Sequence, residues 1–150
     1  MRELSRIIGL LQVDSTIGDL SGNSARLESL ASLAKDNGAL MAITTELAVS
    51  GYPPRDLLLQ PDFVRMSQQQ ASSLTVEIPV LVGTPVSPDS ERKLPGNGVV
   101  RAGPLSSHPS GEQTNRVVTR KQLLPSYDVF DETRYFQASN RSGICRTIGD

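Results

Sequence analysis

The apolar positions of this chain fall into short runs, separated by polar and glycine- or proline-rich stretches. Ile7 to Val13 is apolar and rich in β-formers and predicts a first strand. Asp14 to Asn23 holds two glycines among polar residues and reads as a loop. Leu27, Leu30, Ala31 and Ala34 then recur at i, i+3, i+4 and i+7, one face of a helix. Asn23 or Ser24 can cap that helix, and Asn37-Gly38 supplies a left-handed stop. Ala39 to Thr44 is a short apolar run that predicts a buried strand leading to Glu46. Gly51-Tyr52-Pro53-Pro54 can continue neither a strand nor a helix, because the prolines lack backbone donors. A second helix is predicted to start near Pro61, with Phe63, Met66, Ala71 and Leu74 towards one face, and Pro79 to Gly83 predicts another buried strand. Strand, helix, strand, helix, strand is the order of an α/β sandwich whose strands are buried against helices.

The pattern then fades. Ser, Pro and Gly dominate from Ser87 onward, and 87–115 reads as an irregular loop or linker. Val117-Val118 resumes a short strand that leads into Lys121. The residues after Phe136 are polar and show no periodicity, so 137–150 reads as a divergent, disordered tail behind a domain spanning 1–136.

Composition narrows the function classes. At 150 residues the chain can bury one real core. A net charge of −1 and 4% aromatic residues argue against nucleic acid held by bulk electrostatics or base stacking. No apolar run approaches the roughly 18–20 residues that a membrane span requires. The N-terminal apolar stretch is short and has no small-residue cleavage pattern, so it reads as a strand and not a signal peptide. One cysteine, Cys145, and one histidine, His108, provide neither an intramolecular disulfide nor a protein-built zinc site. A cytoplasmic location is expected.

Two segments carry candidate chemistry. Glu46-Leu-Ala-Val-Ser-Gly-Tyr-Pro-Pro-Arg-Asp-Leu-Leu places a carboxylate where an apolar run breaks into a turn. Arg120-Lys121-Gln-Leu-Leu-Pro-Ser-Tyr127-Asp-Val-Phe-Asp-Glu132 does the same for an ammonium. A carboxylate at a strand end could take a proton from a thiol, and a fixed cation beside it could stabilise the oxyanion formed when a thiolate attacks an amide. The residues alone leave other readings open. Glu46 serves equally as a solvated residue or half of a salt bridge, Arg120-Lys121 as a solvated basic pair, and Tyr127 as packing between Pro125 and Phe130.

Taken together, the segments resemble the carbon–nitrogen hydrolase (nitrilase) superfamily, and within it the glutaminase domains of glutamine-dependent NAD synthetases. Gln12 to Asn23 is similar to the family opening, and the Gly-Tyr-Pro-Pro-x-Asp-Leu-Leu continuation after Glu46 is the most specific part. Lys121 to Phe136 resembles the lysine segment through Leu-Pro-x-Tyr, Val-Phe-Asp-Glu and Arg-Tyr-Phe. The resemblance implies an α-β-β-α sandwich, here truncated. It implies Glu46 as proton acceptor, Lys121 as the lysine of the transition state, Tyr127 as a residue that holds glutamine, and Glu132 as a second carboxylate near the site. The implied reaction is hydrolysis of glutamine through a cysteinyl thioester, giving glutamate and ammonia. No cofactor is expected in this chain, since ATP and deamido-NAD belong to a synthetase domain whose Ser-Gly-Gly-x-Asp-Ser loop is absent.

The sequence also departs from that family. Thr45 replaces a proline before the glutamate, and Lys93 to Asn115 keeps only Lys93-Leu94 and Asn97 of a Lys-Leu-x-Asn-x-Ala strand. Arg146-Thr147 follows Ile144-Cys145 where the family nucleophile is followed by Glu-Asp. The expected partners are glutamine and, among proteins, a second copy of the chain or an intact synthetase. The alternative to an active hydrolase is an inactive relative that folds poorly or binds such a partner.

Overall fold

Among the described residues five strands form one mixed sheet in sequence order: β1 Ile7–Leu11, β2 Ala39–Thr44, β3 Val80–Val86, β4 Gly96–Ala102 and β5 Val117–Arg120. This is a computed structural model, and it describes residues 6–90, 92–104 and 117–140. The first two pairings are parallel and the last two antiparallel. Parallel neighbours need a crossover, and two helices supply it: α1 Leu20–Asp36 between β1 and β2, and α2 Pro61–Ser72 between β2 and β3. β3 pairs with β4 over seven residues, Val80 to Val86 against Ala102 to Gly96. A 3₁₀ turn at Arg55–Leu59 and a single helical turn, α3 Glu132–Tyr135, are the remaining elements among the described residues.

Both long helices lie against one face of the sheet. Leu20, Leu27 and Ala31 of α1 and Ala71 of α2 share a core with Ala42, Val80, Val82 and Val100. This is the α/β sandwich expected from the sequence, with a mixed sheet and a helical layer among the described residues. The other face is apolar but open. Ile8, Leu10 and Ile43 point there and are 49%, 74% and 36% exposed. Leu10 pairs with Ile43, and Ile43 with Leu81, so the apolar side chains form a continuous stripe across three strands. A second small cluster, Leu47, Leu58, Val64 and Phe136, ties the loop after β2 to α2 and to the segment after α3.

Several boundaries follow the sequence pattern. β2 covers Ala39–Thr44, α2 begins with Pro61, and α1 ends at Asp36 with Asn37 as its C-cap and Gly38 at a φ of 84°. Others are corrected. β1 ends at Leu11, two residues before Val13. The cap of α1 is Asp19, whose carboxylate accepts from the Gly22 amide at 2.9 Å, so the helix starts several residues before Asn23. Asn23 lies inside α1, fully buried. On α2 the buried positions are Val64, Ser67, Ala71 and Ser72, while Met66 is exposed. The irregular loop read over 87–115 contains β4. Its glycines are there because neighbours crowd them: a Cβ at Gly98 would lie 2.7 Å from a Val86 methyl and 2.8 Å from the Thr119 carbonyl oxygen. The start of the tail is tied down, as Gln137 and Ser139 donate backbone hydrogen bonds to Pro95 and Lys121 at 2.9 Å each. Cys145, His108 and most of that tail lie outside the described residues.

Candidate active site

β2 delivers Glu46 through Thr45, and the chain then turns sharply at Leu47, which has a φ of 50°. A left-handed leucine costs about 1–2 kcal/mol and persists only where its surroundings fix it. Burial of Leu47 in the second cluster does so. The turn that follows is pinned from α1. Asn23 donates to the Val49 and Thr16 carbonyls at 2.9 and 2.8 Å and accepts from the Thr16 amide at 2.9 Å. Ser15 donates to the Ala48 carbonyl at 2.7 Å, and the Gly18 amide to the Ser50 carbonyl at 2.9 Å. The glutamate therefore sits on a turn with its backbone groups satisfied on several sides.

β5 delivers Lys121, whose backbone amide donates to the Asn97 carbonyl on β4 at 2.7 Å. Its ammonium lies 2.8 Å from Glu46 Oε1, although the two residues are 75 apart in sequence. The same ammonium donates to Glu132 Oε1 at 3.2 Å and stands 3.1 Å from Oε2. Glu132, at the start of α3, is the buried member, with a side chain 6% exposed against 31% for Lys121 and 47% for Glu46. Its Oε2 receives charge from Lys121 but no hydrogen bond among the described residues. Asn97 donates its side-chain amide to Glu46 Oε1 at 2.6 Å.

Burial lowers the Lys121 pKa, but hydrogen bonds to Glu46 and Glu132, and their charges, more than offset this and hold it above the ordinary lysine value. Tyr52 lies beside the trio. Burial, followed by the charges of Glu132 and Glu46, pushes its hydroxyl above the usual tyrosine range, against the opposing pull of Lys121. Two cavities border the site. One, of about 400 Å³, runs over the open sheet face and is lined by Ile43, Leu81, Gly83, Val99, Glu46 and Lys121. The other, of about 230 Å³, is lined by Tyr52, Arg55, Leu58, Phe130, Glu132 and Tyr135. In this arrangement the solvent-accessible carboxylate of Glu46 can accept a proton, and the ammonium held between the two carboxylates can stabilise a nearby oxyanion. The described residues contain no cluster of His, Cys, Asp or Glu suited to a metal ion. No described helix is long and apolar enough to cross a membrane.

The structure brings Glu46, Lys121 and Glu132 together. Tyr127 is 68% exposed, packs edge-on against Phe130 with ring centroids 5.6 Å apart, and lines neither cavity. Asn97, Tyr52 and Asn23 receive no site role from the sequence reading. For Asn97 the signals are its place in the trace of the Lys-Leu-x-Asn-x-Ala strand and a polar residue held between two glycines in Gly96-Asn97-Gly98.

No protein-family model matches the chain. It is 36% identical over 140 residues to the glutamine-dependent NAD(+) synthetase of Synechocystis sp., a match covering 90% of this chain and 24% of that protein. The structure of glutamine-dependent NAD+ synthetase from Acinetobacter baumannii, in complex with ADP, superposes with a TM-score of 0.73 and 28% identity. That superposition covers 95% of this chain and 26% of the other. An amidase of the nitrilase superfamily from Nesterenkonia superposes with a TM-score of 0.64 and 20% identity, over 89% of this chain and 48% of that one. The fold is that of the nitrilase superfamily. The chain is related to the N-terminal glutaminase domain of glutamine-dependent NAD synthetase, and it spans about a quarter of the length of the synthetases it matches. The relation to carbon–nitrogen hydrolases drawn from the Glu46 and Lys121 segments therefore stands.

Proposed function

We infer that this chain is the glutamine-hydrolysing portion of a glutamine-dependent NAD synthetase, supplying ammonia for NAD biosynthesis by cleaving a carbon–nitrogen amide bond. The observation that carries this reading is the Lys121 ammonium, 2.8 Å from Glu46 and 3.2 Å from Glu132, in a chain resembling the synthetases at 36% identity. In this scheme Glu46 takes the proton of a cysteine thiol. The sulfur attacks the glutamine side-chain carbonyl carbon, and the oxyanion forms beside Lys121. Collapse breaks the carbon–nitrogen bond, and Glu46 returns the proton to the departing ammonia. Water then attacks the thioester, with Glu46 again as base, and releases glutamate and the thiol. Tyr127 would hold the glutamine from the exposed 121–131 segment. Cys145, the one cysteine of the chain, is the candidate nucleophile.

The test is ammonia and glutamate release from glutamine by the purified chain, with Cys145→Ala as control. Release that the substitution abolishes supports the reading, and release indistinguishable from buffer overturns it. The open apolar face, with Leu10 74% exposed, favours a second reading, an inactive relative that associates with another copy or an intact synthetase. Absent turnover together with concentration-dependent sedimentation is the result expected from it.

A further inference from the structure

The Glu46 carboxylate has two oxygens in different surroundings. Oε1 accepts from Lys121 at 2.8 Å and from the Asn97 amide at 2.6 Å. Among the described residues no hydrogen bond reaches Oε2. Asn97 is 4% exposed, so its side chain has little freedom to point elsewhere. Its backbone is committed too, since the Asn97 carbonyl accepts the Lys121 amide at 2.7 Å. One residue of β4 thus grips both partners, the glutamate through its side chain and the lysine through its main chain. The amide must present nitrogen, not oxygen, to an ionised carboxylate, because two acceptors at that distance repel.

We propose that Asn97 is a positioning residue that locks Glu46 Oε1 onto Lys121 and thereby reserves Oε2 for proton transfer. The reservation of Oε2 rests on the hydrolase reading above, whereas the locking does not. A carboxylate anchored at one oxygen by two donors cannot rotate to exchange its oxygens without breaking both bonds. The free oxygen then keeps one direction relative to the cavity over the sheet, which is what a general base needs for repeated transfers in opposite directions.

The test uses Lys121 as the reporter and needs no turnover. The chain has three lysines, Lys35, Lys93 and Lys121, so ¹³C-methylated lysines can be followed individually by NMR through a pH titration. Asn97→Ala is expected to lower the Lys121 midpoint by about half a unit, because Glu46 loses its second anchor and its hold on the ammonium loosens. Lys35, paired with Glu77 at the other end of the molecule, serves as an internal reference. In a Glu46→Gln background the same substitution is expected to leave Lys121 unchanged, since the effect travels through Glu46. A midpoint unmoved by Asn97→Ala, or moved equally in both backgrounds, overturns the proposal. Asn97→Ser, which keeps a small polar group too short to reach the carboxylate, carries the same expectations if the alanine variant does not fold. Should the titrations behave as expected while no ammonia is released, the locking stands and the hydrolase reading falls. Should glutamine be hydrolysed while the titrations show no coupling, the hydrolase reading stands and the positioning role falls.

Discussion

Gly83 of β3 lies directly against Glu46: a Cβ at position 83 would stand 3.1 Å from Glu46 Cα, 2.5 Å from the Thr45 carbonyl oxygen and 2.9 Å from the Leu47 amide nitrogen. All three contacts are to backbone, so no flexible side chain can move aside. Gly83→Ala is therefore expected to displace the Glu46 turn. The variant should lose stability by about 1–3 kcal/mol, the usual range for forced overpacking. Its Glu46–Lys121 pair should open, read as a fall of the Lys121 titration midpoint towards the ordinary lysine value. An alanine variant of unchanged stability and unchanged Lys121 midpoint would show that the two strands tolerate a wider separation.

Lys121 is the counter-ion of a buried carboxylate. Lys121→Ala leaves Glu132, 6% exposed at its side chain, without that charge. The expected loss is about 1–3 kcal/mol in urea unfolding, short of the 3–5 kcal/mol of a fully buried pair because Lys121 is itself partly solvated. Adding Glu132→Gln should recover much of it, since a neutral amide costs less to bury than an unpaired carboxylate. No recovery would mean that the loss comes from Lys121 packing and not from its charge.

The alkaline limb of stability follows from the same group. Lys121 titrates higher in the folded chain than when unfolded, chiefly because hydrogen bonds to Glu46 and Glu132 outweigh its burial. Its contribution is fully present below the unfolded lysine value, roughly 10.4, and is lost as pH rises through the folded value. Tyr52 acts with the same sign, because its hydroxyl is also raised, by burial first and by Glu132 and Glu46 next. Above about pH 10 the folded state holds more protons than the unfolded one, so stability falls with pH. Thermal melts between pH 9 and pH 12 should show a steeper decline for the parent chain than for Lys121→Met combined with Tyr52→Phe. Equal slopes would remove both groups from the account.

Asn23 shows what the sequence did and did not reveal. Its place beside a helix start was legible, because polar residues follow a glycine-bearing loop there, but Asp19 captures the cap and leaves Asn23 buried inside α1. Two of its hydrogen bonds reach Thr16, seven residues back, and the third reaches the Val49 carbonyl on a turn 26 residues away, which no local pattern records. β4 was hidden for a related reason. Gly96 and Gly98 read as linker residues, yet they are small because β3 and β5 press against them. By contrast β2 and the start of α2 were legible from local signals, an apolar run and a proline at the first helical position. Glu46 and Lys121 could be singled out by resemblance, but their contact at 2.8 Å and the burial of Glu132 come only from the fold. Asn23→Ala is expected to cost about 2–4 kcal/mol, since it strands several buried backbone groups at once. Faster hydrogen exchange at the Gly18 amide, which bonds Ser50 across the same turn, would be its local signature.

Tyr127 separates binding from stability. Tyr127 is 68% exposed, its ring approaches Phe130 edge-on, and its neighbour Asp128 has a φ of 54°. Tyr127→Ala removes little buried surface, so unfolding free energy should change by no more than about 0.5 kcal/mol. If Tyr127 holds glutamine as the family resemblance implies, the same substitution should raise KM for glutamine several-fold while kcat changes less, the pattern of lost uniform binding. Tyr127→Phe distinguishes the two parts of the side chain: a KM restored by phenylalanine assigns the contact to the ring, and a KM still raised assigns it to the hydroxyl. A Tyr127→Ala variant with parental KM and kcat would place glutamine elsewhere. The cavity of about 230 Å³ beside Tyr52 and Glu132 would then be the position to test next, through Tyr52→Ala.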